Sequence, residues 1–330
     1  MPYACHIAAA AFVLALASGP AAAQIDSDAK TYPSRAIRMI VPFPPGGPAD
    51  IIARVVGQRM SEDFGQPVVI ENRPGGNTAI AAQAVARATP DGYTLLVPMD
   101  TTLVLNPLVA PNLPYDPLRD FAPITLLSKN MSLVVVRGDG PKTIAELIAR
   151  ARANPGKLNM GAGTITSRLG AVLFAKEAGF EAQLVPFKGS AEIGQAVLAG
   201  TVDFALDSTG TSLPLIRSGH YRALAKYSDR PLPVLPDLPS LRVAADLPGL
   251  EESSTWIALA APAGTPGAIV EKIHREVAKI YADPALTTRL EEAGILPVAS
   301  SAPAELEAFI RSETERWAKV LKESGNIKLD

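Results

Sequence analysis

The chain has one cysteine, Cys5, and three histidines, His6, His220 and His274, in 330 residues. Cys5 and His6 fall in an N-terminal stretch that reads as an export signal. A mature chain starting near Gln24 would carry no cysteine, which excludes disulfides, thiol catalysis and thiolate-bound metal. His220 follows Ser218–Gly219 at a turn. His274 sits in the helical run VEKIHREVAKI, on a solvated or lobe-covering face. Neither has a carboxylate or second histidine at metal-ligand spacing. A Gly-x-Ser-x-Gly elbow, a Walker loop and a Gly-x-Gly-x-x-Gly fingerprint are all missing, so hydrolytic triads, P-loop chemistry and dinucleotide binding lack their residues. Aromatic residues make up 5% of the chain, which argues against a carbohydrate cleft built on stacking surfaces. Lys and Arg number 31 against 33 Asp and Glu, scattered to a net charge of −2. No basic stripe is available for nucleic acid. No segment after the signal is long and apolar enough to be a membrane span.

What is present begins with the signal itself. Ile7–Ala17 is an apolar run too short to cross a bilayer; Ser18–Gly19–Pro20 breaks it, and Ala21–Ala22–Ala23 is a small-residue cleavage site. We expect export to the periplasm with cleavage near Ala23. Beyond it, apolar strand-like runs alternate with helical patterns. Strands are expected at Ile37–Phe43, Pro67–Glu71, Tyr93–Pro98, Ser132–Val136, Lys157–Met160, Gln183–Phe187, Val202–Leu206, Arg222–Tyr227 and Trp256–Ala261. Helices are expected at Pro48–Met60, Thr78–Ala88, Ile144–Ala153, Arg168–Ala178, Ser190–Ala199, Gly267–Ala282, Pro284–Ala293 and Ala304–Ser324. Thr143 with Glu146 spells a capping box, and Thr265–Pro266 an N-cap with a first-turn proline. Pro231–Pro248 reads as surface loop. The alternation implies parallel sheets covered on both faces. Two sheets of four or five strands fit two α/β lobes, joined by the extended segments Ala122–Val136 and Ser254–Ala261.

In open α/β sheets, ligands bind at the carboxyl ends of strands, where helix starts aim backbone N–H groups outward. Three glycine-rich segments fall there: Pro44-Pro45-Gly46-Gly47, Arg73-Pro74-Gly75-Gly76-Asn77 and Gly161-Ala162-Gly163-Thr164. Such loops suit an anion, although each alone also fits a plain strand-to-helix turn. Asp50, the third residue of its helix, either satisfies the helix start or has a ligand-side or loop-ordering role. Asp207 either caps a helix or faces the cleft. Arg168 is either solvated or pairs with a carboxylate. Trp256 fits core or hinge packing better than a stacking platform.

Several segments, in order and spacing, carry a specific resemblance: YPSRAIRMIVPFPPGGPADIIARVVGQRM, VVIENRPGG, ATPDGYTLL, NLPYDPLRDFAPIT, VPFKGSAEIGQAVLAGTVDFALDS and APAGTPGAIVEKI. From Tyr32 to about Gly325 the chain resembles the Bug-type solute-binding proteins, also called the tripartite tricarboxylate transporter receptor (TctC-like) family. The resemblance implies an α/β, two-lobe periplasmic-binding-protein fold (type II, Venus flytrap) with crossing strands. It implies lobes of residues 24–127 plus 259–330 and 128–258. It implies a small carboxylate ligand, with no cofactor, no metal and no catalytic residue. Phe43–Asp50, that is Phe43, Pro44, Pro45, Gly46, Gly47 and Asp50, would hold one carboxylate, partly through water. Gly161, Gly163, Thr164, Thr166, Ser167 and Arg168, at a helix start in the second lobe, would hold the ligand directly. Lys188 and Gly189 of the PFKG segment, and Asp207, would lie near the cleft; Gly75 and Thr101 complete the candidate set.

Two departures from the family pattern stand out. After Asn72-Arg73-Pro74-Gly75 the family's longer glycine-rich run is replaced by Gly76-Asn77-Thr78-Ala79-Ile80. Where members often carry Gly-Ser-x-x-His-Leu, this chain places Thr164, Ile165 and Arg168, losing a hydroxyl and gaining a cation. The expected partners are membrane permease subunits, with the receptor acting as a monomer. The alternatives are a receptor signalling to a membrane sensor kinase, and an exported enzyme on the same fold.

Overall fold

The computed structural model describes residues 31–110 and 112–324; the signal-peptide expectation lies outside them. Two sheets share one long strand. In the first, β1 (Ile37–Val41) lies between β2 (Val68–Asn72) and β3 (Thr94–Leu96), parallel to both. β3 pairs antiparallel with β9 (Ser254–Pro262), and β9 antiparallel with the first part of β4 (Phe121–Arg137). In the second, the last part of β4 lies between β7 (Phe204–Ser208) and β8 (Tyr221–Lys226), antiparallel to both. β5 (Asn159–Ala162) joins β7 to β6 (Gln183–Pro186) in parallel.

The sheets are therefore mixed, not wholly parallel as the alternation implies. The antiparallel pairs all involve β4 or β9, the two strands that run between the halves. The crossing segments themselves are the expected ones. Strand Ser132–Val136 is the far end of the same 17-residue strand that begins at Phe121. The chain has the two-lobe architecture expected of it.

Helices cover both sheets: α1 (Pro48–Phe64), α2 (Ala79–Ala86), α3 (Asn106–Val109), α4 (Ile144–Ala153), α5 (Ile165–Glu177), α6 (Ser190–Leu198), α7 (Thr209–Arg217), α8 (Leu241–Ala244), α9 (Gly267–Tyr281), α10 (Pro284–Glu292) and α11 (Pro303–Ser324). Among the described residues no helix is long and apolar enough to cross a membrane. In the first lobe Ile37, Met39 and Val41 of β1 pack on Ile52, Val56 and Met60 of α1, all fully buried. In the second, Phe174 of α5, Phe180 and Phe204 of β7 meet edge to face, with centroids 5.2–6.5 Å apart. Burying apolar area of this kind is the main force behind each lobe.

Two capping expectations change. Thr143 does accept the Glu146 amide at 3.1 Å, but the Glu146 carboxylate reaches past the cap to the Lys142 amide, 2.7 Å away. Thr265 is not the N-cap of α9: its hydroxyl donates to Pro262 O at 2.7 Å, and Pro266 takes the cap position. Helix α7 and the π-helical turn Thr101–Leu105 leading into α3 escaped the sequence reading. Their threonines and prolines are weak helix formers, so tertiary packing decides them. His274 is buried, with Nε2 2.9 Å from Ser300 O, and so covers the lobe core.

The halves also meet away from the crossing strands. Asp100, fully buried beyond β3, accepts a hydrogen bond from the Thr166 hydroxyl on α5. Burial pushes its pKa up to about 7, against the opposing hydrogen bonds from Thr166 and the Thr101 amide. A carboxyl whose pKa is higher folded than unfolded binds more protons in the folded state between the two values. Stability must then fall as pH rises from about 4 to about 7, by up to about 1.4 kcal/mol per pH unit. Asp207, also buried and shifted upward, adds a decline of the same sign. Urea unfolding across that range should show a shallower decline for Asp100→Asn than for the wild type.

Candidate functional site

The stretch Phe43–Asp50 follows β1 and opens α1. Gly46 has φ +84°, a left-handed conformation that any side chain would strain. Gly47 is the N-cap, and Pro48 occupies the first helical turn, where no N–H is needed. Asp50 lies beneath the loop with its side chain 5% exposed. Its Oδ2 accepts the Gly46 amide at 3.0 Å and Arg54 Nε at 3.0 Å; its Oδ1 accepts Asn72 Nδ2 at 2.9 Å and lies 2.8 Å from an Arg54 guanidinium nitrogen. Asn72 Nδ2 also donates to Phe43 O at 3.0 Å. Asp50 thus fixes both ends of the loop from behind. Burial alone would push its pKa up, but the hydrogen bonds from Arg54, Gly46 and Asn72 outweigh it and hold the carboxyl below its ordinary value.

Across the cleft, α5 begins with a reciprocal hydroxyl cap. Thr164 Oγ1 accepts the Ser167 amide at 3.1 Å, and Ser167 Oγ accepts the Thr164 amide at 3.0 Å. Helix α6 begins at Ser190 after Gly189, and its Glu192 accepts the Lys188 amide at 3.1 Å. Helix α7 begins after Ser208, preceded by Asp207. Ser212 Oγ donates to Asp207 Oδ2 at 2.9 Å, and Thr211 Oγ1 sits 3.3 Å from both oxygens. Burial raises the Asp207 pKa, opposed only by neutral donors, those of Ser190, Ser212, Ser208 and Thr211.

The starts of α1, α5, α6 and α7 converge on one cleft enclosing ≈ 720 Å³ of space that is partly open to solvent. First-turn amides have no intrahelical acceptor, and the aligned peptide dipoles put positive potential there. Phe43, Pro44, Pro45, Gly47, Gly163, Thr164, Ser167, Gly189 and Asp207 lie on its wall. The halves come together at its mouth: a Cβ on Gly189 would stand 3.7 Å from Pro44 Cδ.

Other expected residues lie elsewhere, each for a visible reason. Gly46 lies in the first loop but off the cleft wall, and Asp50 sits buried behind the loop; both shape it. Gly75 belongs to a turn held away from the cleft, where Asn106 Nδ2 donates to Asn77 O at 2.6 Å and to Thr78 Oγ1 at 3.1 Å. Thr101 is buried behind the wall; its neighbours act instead, Met99 on the cleft surface and Asp100 across to Thr166. Thr166 is taken up by that bond. Gly161 is strand interior, where a Cβ would meet Val202 Cγ1 at 3.1 Å and Phe187 Cε2 at 3.3 Å. Arg168 turns its guanidinium away from the cleft, towards Gly163 O at 3.4 Å and Phe187 O at 3.3 Å. It braces two loops from outside and brings no cation to the wall. The Lys188 side chain is exposed and off the wall.

The sequence reading missed Ser132 and Thr255 on the crossing strands and Ser190 and Ser208 at helix starts, all on the wall. Position after Gly189 and Asp207 marks the last two. The first two could be found only by knowing that the crossing strands floor the cleft. No grouping of His, Cys, Asp and Glu among the described residues would hold a metal.

Residues 52–326 match the family model described as "Tripartite tricarboxylate transporter family receptor". A protein from the tcbD–tcbE intergenic region of Pseudomonas sp. (strain P51) is 40% identical over 295 residues, 88% of this chain and 87% of its own. Among solved structures, R. palustris Rpa4515 with adipate superposes with a TM-score of 0.85 at 34% identity, covering 88% of this chain and 97% of its own. MatC (Rpa3494) from Rhodopseudomonas palustris with bound malate gives 0.81 at 33% identity, covering 88% and 99%.

Replacing Asp50 with Ala strands the Gly46 amide, the Asn72 amide and Arg54 together. We expect a loss of about 2–3 kcal/mol at pH 7. Because the folded pKa of Asp50 is depressed, its contribution is present at neutral pH and lost on acidification. The urea-unfolding energies of wild type and Asp50→Ala should therefore converge as pH drops below about 4.

Proposed function

Because the chain belongs to the tripartite tricarboxylate transporter receptor family, we propose that it is an extracytoplasmic solute receptor that closes on a small organic acid and presents it to a membrane permease. One observation carries the reading: helix starts from both sheets face a single cleft, with Pro44 from one side and Gly189 from the other both on its wall. The lobes that move are residues 24–127 plus 259–330 and residues 128–258. The ligand carboxylate is bound between the Gly47–Ala49 backbone and the Gly163–Ser167 turn, which offer amides and hydroxyls without a proton-transfer pair. The adipate and malate held by relatives support a carboxylate here. The protein works in the periplasm after loss of residues 1–23, as a monomer, and retains its ligand without turnover.

Micromolar affinity, roughly −8 kcal/mol, is within reach of charge-assisted bonds from two preformed loops. The ligand bridges both sides, so it favours the closed arrangement over the open one. At a ligand concentration 100-fold above Kd, binding stabilises the folded state by about 2.7 kcal/mol. A panel of small carboxylates screened by thermal unfolding, on protein shown by native mass spectrometry to be ligand-free, should include at least one that raises Tm by several degrees. No shift with any acid would defeat the reading.

Closure has its own test. Gly189 has φ −179°, which any residue adopts, and room for a methyl group against Pro44. Gly189→Ala should bind like wild type. Gly189→Phe should fill the mouth and weaken binding at least tenfold by isothermal calorimetry, with little change in the unfolding midpoint of the ligand-free protein.

A further inference from the structure

The charged side chains on the cleft wall are Glu192 and Asp207; no Lys, Arg or His is among its residues. The cations nearest in sequence are directed elsewhere, Arg168 to loop carbonyls and Lys188 to solvent. The four helix starts therefore differ. At α1 the acid Asp50 is neutralised by Arg54. At α5 the cap consists of hydroxyls alone, which leaves the positive end of the helix without an anion. At α6 and α7 the positive ends are already met by Glu192 and Asp207, and neither acid has an ion pair among the described residues. Asp207 is 5% exposed; burial raises the pKa of its carboxyl, the donors around it are neutral hydroxyls and an amide, and a cation that would favour its ionised form is what its surroundings lack. Beside it on the wall, the Ser208 hydroxyl is buried without a hydrogen-bond partner among the described residues.

One cleft thus has two unlike ends. The α1–α5 side accepts an anion. The α6–α7 side carries two carboxylates that would repel a second one and attract a cation or a hydrogen-bond donor. We propose that the receptor selects monocarboxylates whose far end is an ammonium or hydroxyl group, held at Asp207, over dicarboxylates of the same length. This rests on the receptor reading above and narrows it: dicarboxylates such as those found with relatives become the weaker class for this chain. Specificity arises here from what disfavours a second carboxylate as much as from attraction, since a second ligand carboxylate would be brought beside Glu192 and a buried acid that has no cation to share.

Isothermal calorimetry at pH 7.5 with two matched series separates the outcomes: 4-aminobutyrate, 4-hydroxybutyrate and succinate, then 6-aminohexanoate, 6-hydroxyhexanoate and adipate. In at least one series the amino acid should bind at least tenfold tighter than the diacid, with the hydroxy acid between. Asp207→Asn should bring that ratio close to one, mainly by weakening the amino acid. Should Asp207→Asn fold poorly, Glu192→Gln at the exposed mouth should reduce the ratio in the same direction, and the wild-type ranking stands as a test without any variant. A diacid binding as tightly as its amino counterpart in both series overturns the inference and leaves the receptor reading intact. No binding in either series also overturns it; recovery of a different bound acid by native mass spectrometry would then still uphold the receptor.

Discussion

A helix start carries amide groups that the helix itself cannot satisfy, and burying such a start commits the structure to finding acceptors for them. This constraint organises the protein. Acids at the third helical position recur, each reaching back four residues to an amide: Asp50 to Gly46, Glu146 to Lys142, Glu192 to Lys188 and Glu305 to Ser301. Two of these, Asp50 and Glu192, lie at the cleft. Helix α5 departs from the habit, capping itself with Thr164 and Ser167 and no charge. An anion offered from outside would meet there a start with no acid of its own, opposite α1, whose first-turn amides have no side-chain cap. The place for a ligand is thus defined by the distribution of internal acceptors, and not by a set of basic side chains.

Bringing that start opposite α1 requires the crossing strands. β4 belongs to both sheets, so its first part is fixed by β9 and its last by β7 and β8. One continuous strand hydrogen-bonded in both sheets ties the halves together through the backbone. Contacts lateral to the strands also join them. Asp100 with Thr166 makes one such contact in the interior. Arg217 donating to Glu292 O at 3.1 Å makes another at the surface. The first removes a carboxylate from water and therefore favours its neutral form; the second costs little, because both groups stay near solvent.

Much of this was legible in residue order. The strand–helix alternation located most elements within a few residues, because apolar periodicity reports burial directly. The loop Phe43–Asp50 could be read from its prolines and glycines, whose backbone limits are local and need no partner. Harder to read was anything set by a distant contact. Gly75 looks like Gly46 in sequence, yet Asn106 ties its turn to the other side of the first lobe. Arg168 looks like an anion ligand beside Gly163, yet the carbonyls of Gly163 and Phe187 hold its guanidinium. Ser132 and Thr255 carry no motif and reach the cleft only because the crossing strands form its floor.

The shape of the segment VPFPPGGPAD depends on Asp50. Prolines limit the conformations the loop can visit, and Gly46 permits the one left-handed residue the turn needs. Those two effects alone would leave a stiff loop with no fixed position. The Asp50 carboxylate supplies the position, since it holds the Gly46 amide, Arg54 and Asn72 at once, and Asn72 in turn holds Phe43 O. A loop so fixed loses little further entropy when a ligand arrives, so more of the interaction energy appears as affinity. The buried acid and its surface arginine therefore act on the ligand through geometry alone, one layer behind the wall. Their opposite charges lie 2.8 Å apart and offset each other, which leaves the helix ends and the acids Glu192 and Asp207 as the features that distinguish one end of the cleft from the other.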